Sequence, residues 1–258
     1  MRRFFFFIGL FYGFTLLAQP ELEHINSIQV SNYTPVGFLN SGDEYVINGS
    51  TFTLFSNKGE LQFSNIGLGN ISSADIFNPL KILLFYSNFN TVLLLDNRLT
   101  EIQKIDFNTI SPYRTITHVS SAAKNSFWYF NQENQRAELF DYRSNTVIAQ
   151  TLPIQAEVVS MDSDYNYCYL LTKDFILCYN YQGSLLKKIP NKDYNQIVAH
   201  NEEIYLSNGK DIDMVKENEP INLSLKIKDL LIKRFYLTDE TLYIYDGEKL
   251  HQFQIKSE

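Results

Sequence analysis

The chain predicts an all-β fold, a six-bladed β-propeller of four-stranded antiparallel blades whose last blade is closed by the N-terminal strand. Three observations carry this. Four strand-like segments recur as a unit, and the residues ending the third segment of each, Ser56, Asp96, Asp141, Asn180 and Lys216, lie 40, 45, 39 and 36 residues apart, the spacing of a propeller blade. Segments such as KILLFY, TVLLLD and FILCY are near-continuous apolar runs, as expected of strands covered on both faces. The last unit has only three segments, while one strand-like stretch near the N-terminus belongs to no unit.

Taken in order, Arg2 and Arg3 precede an apolar stretch from Phe4 to Leu17 and a small residue, Ala18. This is the pattern of a secretory signal peptide over residues 1–18; its 14 apolar residues fall short of the roughly 20 that span a bilayer. Residues 19–258 then form a single domain with no membrane span. HINSIQV (24–30) is the orphan strand. The first unit holds PVGFLN, EYVING, TFTLFS and ELQFSNI; the second, from Ala74 to Phe107, holds ADIF, KILLFYS, TVLLLDN and LTEIQKIDF. TITHVSS, SFWYFN, AELFDY and TVIAQTL form the third, lengthened by its loops at 122–125 and 132–136. The fourth runs EVVSMD, YCYLLT, FILCYN and SLLKKIP, and the fifth QIVAHN, EIYLSN, DIDMVK and INLSLKI, with an Asn208-Gly209 turn suited to a hairpin. LLIKRFYL, TLYIYD and KLHQFQI make up the sixth, so the orphan strand supplies its fourth member.

A formal net charge of −7 and the absence of any basic cluster beyond pairs such as Lys187-Lys188 and Lys233-Arg234 argue against nucleic acid, which needs a basic surface. There are 2 cysteines, with no metal-binding spacing. Cys168 and Cys178 stand symmetrically about Lys173. If Thr172, Lys173 and Asp174 form a three-residue loop, the two thiols face each other on neighbouring strands, leaving a disulfide and a pair of buried free thiols as the alternatives.

Propellers place chemistry around the central channel, so the first strand of each unit is the place to look. Those strands carry Asp75, His118, Asp162, His200, Lys233 and Arg234. Two histidines and two carboxylates around one axis suit a metal or an acid/base pair, although such residues are also common at strand ends. His24 and His251, on the closing strands, read as residues that pack or face solvent, and the single tryptophan, Trp128, as a core residue. Asn48, Asn70 and Asn222 begin Asn-x-Ser triplets, the acceptor pattern for glycosylation. Nucleophile-elbow, zinc-protease, P-loop and dinucleotide motifs are absent, and no cofactor is expected.

The LLLDNRLTEI, LFDYRSN and LCYNYQGSLL strand-turn-strand segments give the chain, over Ser27 to Lys256, an architecture that resembles six-bladed propellers of the NHL, YWTD and lactonase-like kind. The resemblance implies the fold; the families' own signatures are missing, so no catalytic residue is carried over from them. The expected function is that of an exported, non-catalytic protein-interaction or scaffold module, periplasmic or secreted, with a cell-envelope protein as partner. The alternatives are a metal-dependent hydrolase or lyase with its site in the channel, and a small-ligand or glycan binder.

Overall fold

The computed structural model describes residues 21–216, 219–223, 225 and 230–256. The signal-peptide expectation for residues 1–18 lies outside the described residues. Six four-stranded antiparallel sheets form the ring. Blade 1 is β2 (Thr34–Phe38), β3 (Glu44–Asn48), β4 (Thr51–Ser56) and β5 (Gly59–Ser64); blade 2 is β6 (Ser73–Asp75), β7 (Ile82–Tyr86), β8 (Thr91–Leu95) and β9 (Glu101–Asp106). Blade 3 comprises β10 (Ile116–Ser121), β11 (Ser126–Asn131), β12 (Arg136–Asp141) and β13 (Thr146–Gln150); blade 4 comprises β14 (Val158–Ser163), β15 (Tyr167–Thr172), β16 (Phe175–Asn180) and β17 (Leu185–Pro190). Blade 5 contains β18 (Gln196–His200), β19 (Glu203–Ser207), β20 (Ile212–Lys216) and β21 (Glu219–Asn222). The last blade joins both chain ends: β22 (Arg234–Leu237), β23 (Thr241–Tyr245) and β24 (Lys249–Lys256) are completed by β1 (Glu21–Gln29), which pairs antiparallel with β24 from Glu21↔Lys256 to Gln29↔Lys249.

The apolar runs divide between two neighbours. Successive strand residues point to opposite faces, so Ile82, Leu84 and Tyr86 pack into the seam with blade 1 while Leu83 and Phe85 pack into the seam with blade 3. All five residues of β7 and of β8 are buried, and the one non-aromatic polar residue among them, Thr91 at the start of β8, donates its hydroxyl proton to the Phe89 carbonyl at 2.8 Å. Outer strands such as β5 and β17 are exposed along most of their length, which is where charge appears. Trp128 is fully buried between blades 3 and 4.

The cysteines do not face each other. Thr172 is the last residue of β15, and its hydroxyl donates to the carbonyl of Phe175 at 2.9 Å while accepting from the Phe175 N–H at 2.9 Å. This leaves only Lys173 and Asp174 in the loop, and the pairing becomes Cys168↔Tyr179 and Tyr169↔Cys178. A one-residue slip moves a side chain to the other face of a sheet. Cys168 therefore lies in the seam with blade 3 and Cys178 in the seam with blade 5, both buried and free.

Candidate functional site

The first strands β2, β6, β10, β14, β18 and β22 line a central cavity of about 780 Å³. Five of the six residues expected there line it: Asp75, His118, Asp162, His200 and Arg234. Lys233 does not; its ammonium lies against Gly247 in the β23–β24 hairpin, where a Cβ would stand 2.1 Å from Nζ.

The two carboxylates converge on a serine. Asp75 ends β6, Asp162 lies near the end of β14, and Ser120 sits between them near the end of β10, with Oγ 3.0 Å from Asp75 Oδ2 and 3.1 Å from Asp162 Oδ1. Asp75 Oδ2 also accepts from the Ser121 N–H at 2.7 Å, and Asp162 Oδ2 from the Ala199 N–H of β18 at 2.8 Å. The Ser163 hydroxyl reaches Ser120 Oγ at 2.8 Å and the Ser121 carbonyl at 2.5 Å. Four adjacent blades, 2 to 5, are joined by this group.

Burial of Asp162 works against the Ser163 and Ala199 N–H groups, which donate to its Oδ1 at 2.9 Å and its Oδ2 and favour the carboxylate. Ser120 has one hydroxyl proton and two carboxylates to satisfy. Burial, reinforced by the Asp75 charge, pushes the Asp162 carboxyl up to about 7. A protonated Asp162 donates to Ser120 Oγ, Ser120 donates to Asp75 and Ser163 donates to the Ser121 carbonyl, so each proton has one acceptor. An ionised Asp162 leaves one carboxylate without the Ser120 proton. Chemically the group holds a proton near neutrality, as an acid/base site requires.

The histidines stand apart from it. His118 bonds to Thr117 Oγ1 through Nδ1 at 2.9 Å, and its ring bonds to the Val159 carbonyl. His200 Nε2 is 3.3 Å from Asp239 Oδ1. Burial lowers the pKa of both rings, opposed at His118 by the Val159 carbonyl and at His200 by Asp239. Among the described residues no three His, Cys, Asp or Glu side chains are grouped to hold a metal ion; Asp75, His118, Asp162 and His200 do not form one ligand set.

Sequence reasoning missed the serines, and it missed Lys81. The buried Lys81 ammonium, at the start of blade 2's apolar run, donates to the carbonyls of Ala122 at 2.6 Å, Ser126 at 2.7 Å and Lys124 at 3.2 Å, capping the β10–β11 turn of the next blade. Desolvation lowers its pKa to about 8, against the pull of Asp75. The last seams are tied at the same end of the channel, where Asp239 accepts from Asn40 of blade 1 and from Asn201 of blade 5 at 3.0 Å. The channel's polar side chains thus hold blade to blade.

No family model matches the chain, and no curated protein matches it by sequence. Solved structures do match it by shape. A catalytically inactive variant of virginiamycin B lyase from Staphylococcus aureus, crystallised with quinupristin, is similar with a TM-score of 0.64 at 10% identity, over 92% of this chain and 100% of that one. A chain of a mitotic checkpoint complex is similar with a TM-score of 0.61 at 9% identity, over 100% and 99%. BamB from Moraxella catarrhalis follows at 0.56 and 8% identity, over 92% and 98%. At such identities the likeness is one of fold, and the chain is a six-bladed β-propeller.

Proposed function

We propose that the protein is exported and acts as a protein-interaction module of the cell envelope, docking through the face that carries the blade-to-blade connections. The observation behind this reading is that exposed apolar side chains are more numerous on that face than on the opposite one, where Phe77, Leu80 and Tyr165 stand. Ile66, Tyr113 and Leu152 are 86%, 60% and 82% exposed, and Phe89 and Leu231 are exposed too. Strand order places all five on one face: Ile66, Tyr113, Leu152 and Leu231 on connections between blades, Phe89 in a second-to-third-strand hairpin. The long β11–β12 loop of residues 132–135 lies there as well. Exposed apolar residues gathered on one face mark a contact surface, while the channel's polar groups are occupied within the ring. The similar ring in a mitotic checkpoint complex is one that works inside an assembly. Among the described residues no helix is long and apolar enough to cross a membrane.

The test is crosslinking in intact cell envelopes with a tagged chain, followed by mapping of the crosslinked residues. One reproducible partner joined at Ile66, Tyr113 or Leu152 supports the reading; crosslinks no different from those of an unrelated exported propeller overturn it. Asp162, held near neutrality in the channel, favours a second reading, a hydrolase or lyase working there. Turnover of a small ester, lactone or glycan that is lost in Asp162→Asn, with the docking-face variants fully active, would replace the first reading with the second.

A further inference from the structure

At the outer rim of blade 6, Ser27 from the N-terminal strand meets two side chains near the C-terminus. Ser27 Oγ lies 2.8 Å from His251 Nδ1, and His251 Nε2 lies 2.9 Å from Asp246 Oδ2. Ser27 and His251 are cross-strand partners on β1 and β24, and Asp246 sits in the β23–β24 hairpin. Ser27 is exposed and His251 buried. Burial pushes the Asp246 carboxyl up, but hydrogen bonds from His251 and from the N–H groups of Lys249 and Glu248 together hold it below the ordinary value. An ionised carboxylate only accepts, so His251 carries its proton on Nε2 and leaves Nδ1 bare to receive the serine proton.

The strand pairing supplies the rest. The Val30 N–H donates to the Glu248 carbonyl at 2.8 Å, which makes Val30 and Glu248 a hydrogen-bonded pair. Antiparallel pairs alternate, so three positions earlier Ser27 and His251 form a non-hydrogen-bonded pair. In such a pair the side chains are closest and the backbone N–H points away from the partner strand. β1 is the outermost strand of its sheet, so the Ser27 N–H points off an open edge. His24 Nε2 is 3.0 Å from Ser27 Oγ, a second donor beside the same oxygen. A shift in pairing between His24 and Asn26 marks a bulge next to the serine, and the exposed Ile25 in that bulge offers an apolar shoulder.

We propose that Ser27, His251 and Asp246 form a nucleophilic site for acyl transfer to water, acting on small, unhindered esters whose acyl group rests against Ile25. Ser27 Oγ bonds to the ester carbonyl carbon as its proton passes to His251 Nδ1, and the carbonyl electron pair moves onto oxygen, where the Ser27 N–H and His24 Nε2–H hold it. Collapse breaks the bond to the alcohol, which leaves with the proton from His251. Water repeats the sequence on acyl-Ser27, releasing the acid and restoring the hydroxyl. Asp246 is a positioning residue that fixes the imidazole tautomer. The site is independent of the docking face and of the channel, and stands or falls separately from both.

The experiment treats the mature protein with a fluorophosphonate probe and locates the adduct by peptide mass, alongside the burst of p-nitrophenol from p-nitrophenyl acetate. One adduct at Ser27 is expected. Ser27→Ala, at an exposed position, should abolish it with the melting temperature unchanged. His251→Gln and Asp246→Asn should slow labelling by about a hundredfold, in variants whose near-ultraviolet circular dichroism matches the parent. If His251→Gln does not fold, Asp246→Asn carries the same comparison. No adduct, an adduct elsewhere, or a Ser27 labelling rate unchanged in a folded His251 or Asp246 variant overturns the proposal.

Discussion

The seam between blades 2 and 3 and the seam between blades 6 and 1 share one geometry and differ in their side chains. The first buries eleven apolar residues, among them Leu83, Val92, Leu94, Phe107, Phe127 and Phe140, with Phe107 against Tyr129 at 4.9 Å and Phe127 against Phe140 at 5.6 Å. The second buries three, Val30, Phe38 and Leu250, and fills the remainder with the half-buried Tyr33, Tyr236, Tyr243 and Tyr245. Phe38 stacks on Tyr243 at 3.9 Å, and Glu44, paired across the strands with Phe38 and Phe55, sits in the same seam with Oε1 buried and no hydrogen-bond partner among the described residues. The 2–3 seam is therefore the more apolar of the two, and the 6–1 seam, beside the blade in which the chain ends are joined, the more polar. The joining itself is done by the β1–β24 ladder inside blade 6, leaving the 6–1 seam with less to carry.

The largest effect expected from this contrast is a difference in core truncation. Phe127→Ala should cost about 3–5 kcal/mol, whereas Tyr243→Ala, at a half-buried position, should cost about 1–2 kcal/mol. Urea denaturation measures both, and equal losses would erase the distinction between the seams.

The next is pH-dependent and lies in the channel. The folded state raises the Asp162 value from 3.8 to about 7, so the folded chain binds this proton more tightly than the unfolded one. The associated stability is complete at acid pH below the unfolded value and is lost as pH rises through about 7. Thermal melts of the parent should fall across that window by the equivalent of roughly 2 kcal/mol, and those of Asp162→Asn should not.

The smallest concerns Glu44, whose carboxyl is also raised by burial. The sign is the same, stability lost as pH rises past its raised value. Because the group is partly solvated, Glu44→Gln should stabilise the protein by no more than about 0.5 kcal/mol at neutral pH. A loss of stability would mean that the charge is paired in solution.

The blades were legible because each repeats the same local message, apolar strands such as KILLFY bounded by turn residues such as Asp96 to Arg98. Even the closing strand could be inferred, from a surplus segment at one end and a deficit at the other. Failures came where one residue decides the outcome. The Thr172 hydroxyl shortened a loop by one position and sent Cys168 and Cys178 to opposite faces. Ser120 and Ser163 look like any serine at a strand end, and only the packing of blades 2, 3 and 4 brings Ser120 between Asp75 and Asp162 and Ser163 onto Ser120. Lys81 is a cation placed beside an apolar run, and its role depends on carbonyls of the next blade. Ser27 was not singled out, and His251 was read only as a residue of a closing strand; their meeting depends on the register between strands from opposite ends of the chain.

On the proposed reading, the channel residues hold the ring while the connection face meets the partner. The most direct test is the affinity of the crosslinked partner, once purified, for two variants compared side by side with the parent. Ile66→Asp combined with Leu152→Asp should weaken binding at least tenfold, and Asp162→Asn should leave it unchanged. Binding that survives the rim substitutions and is lost in Asp162→Asn would contradict the account and place the function in the channel.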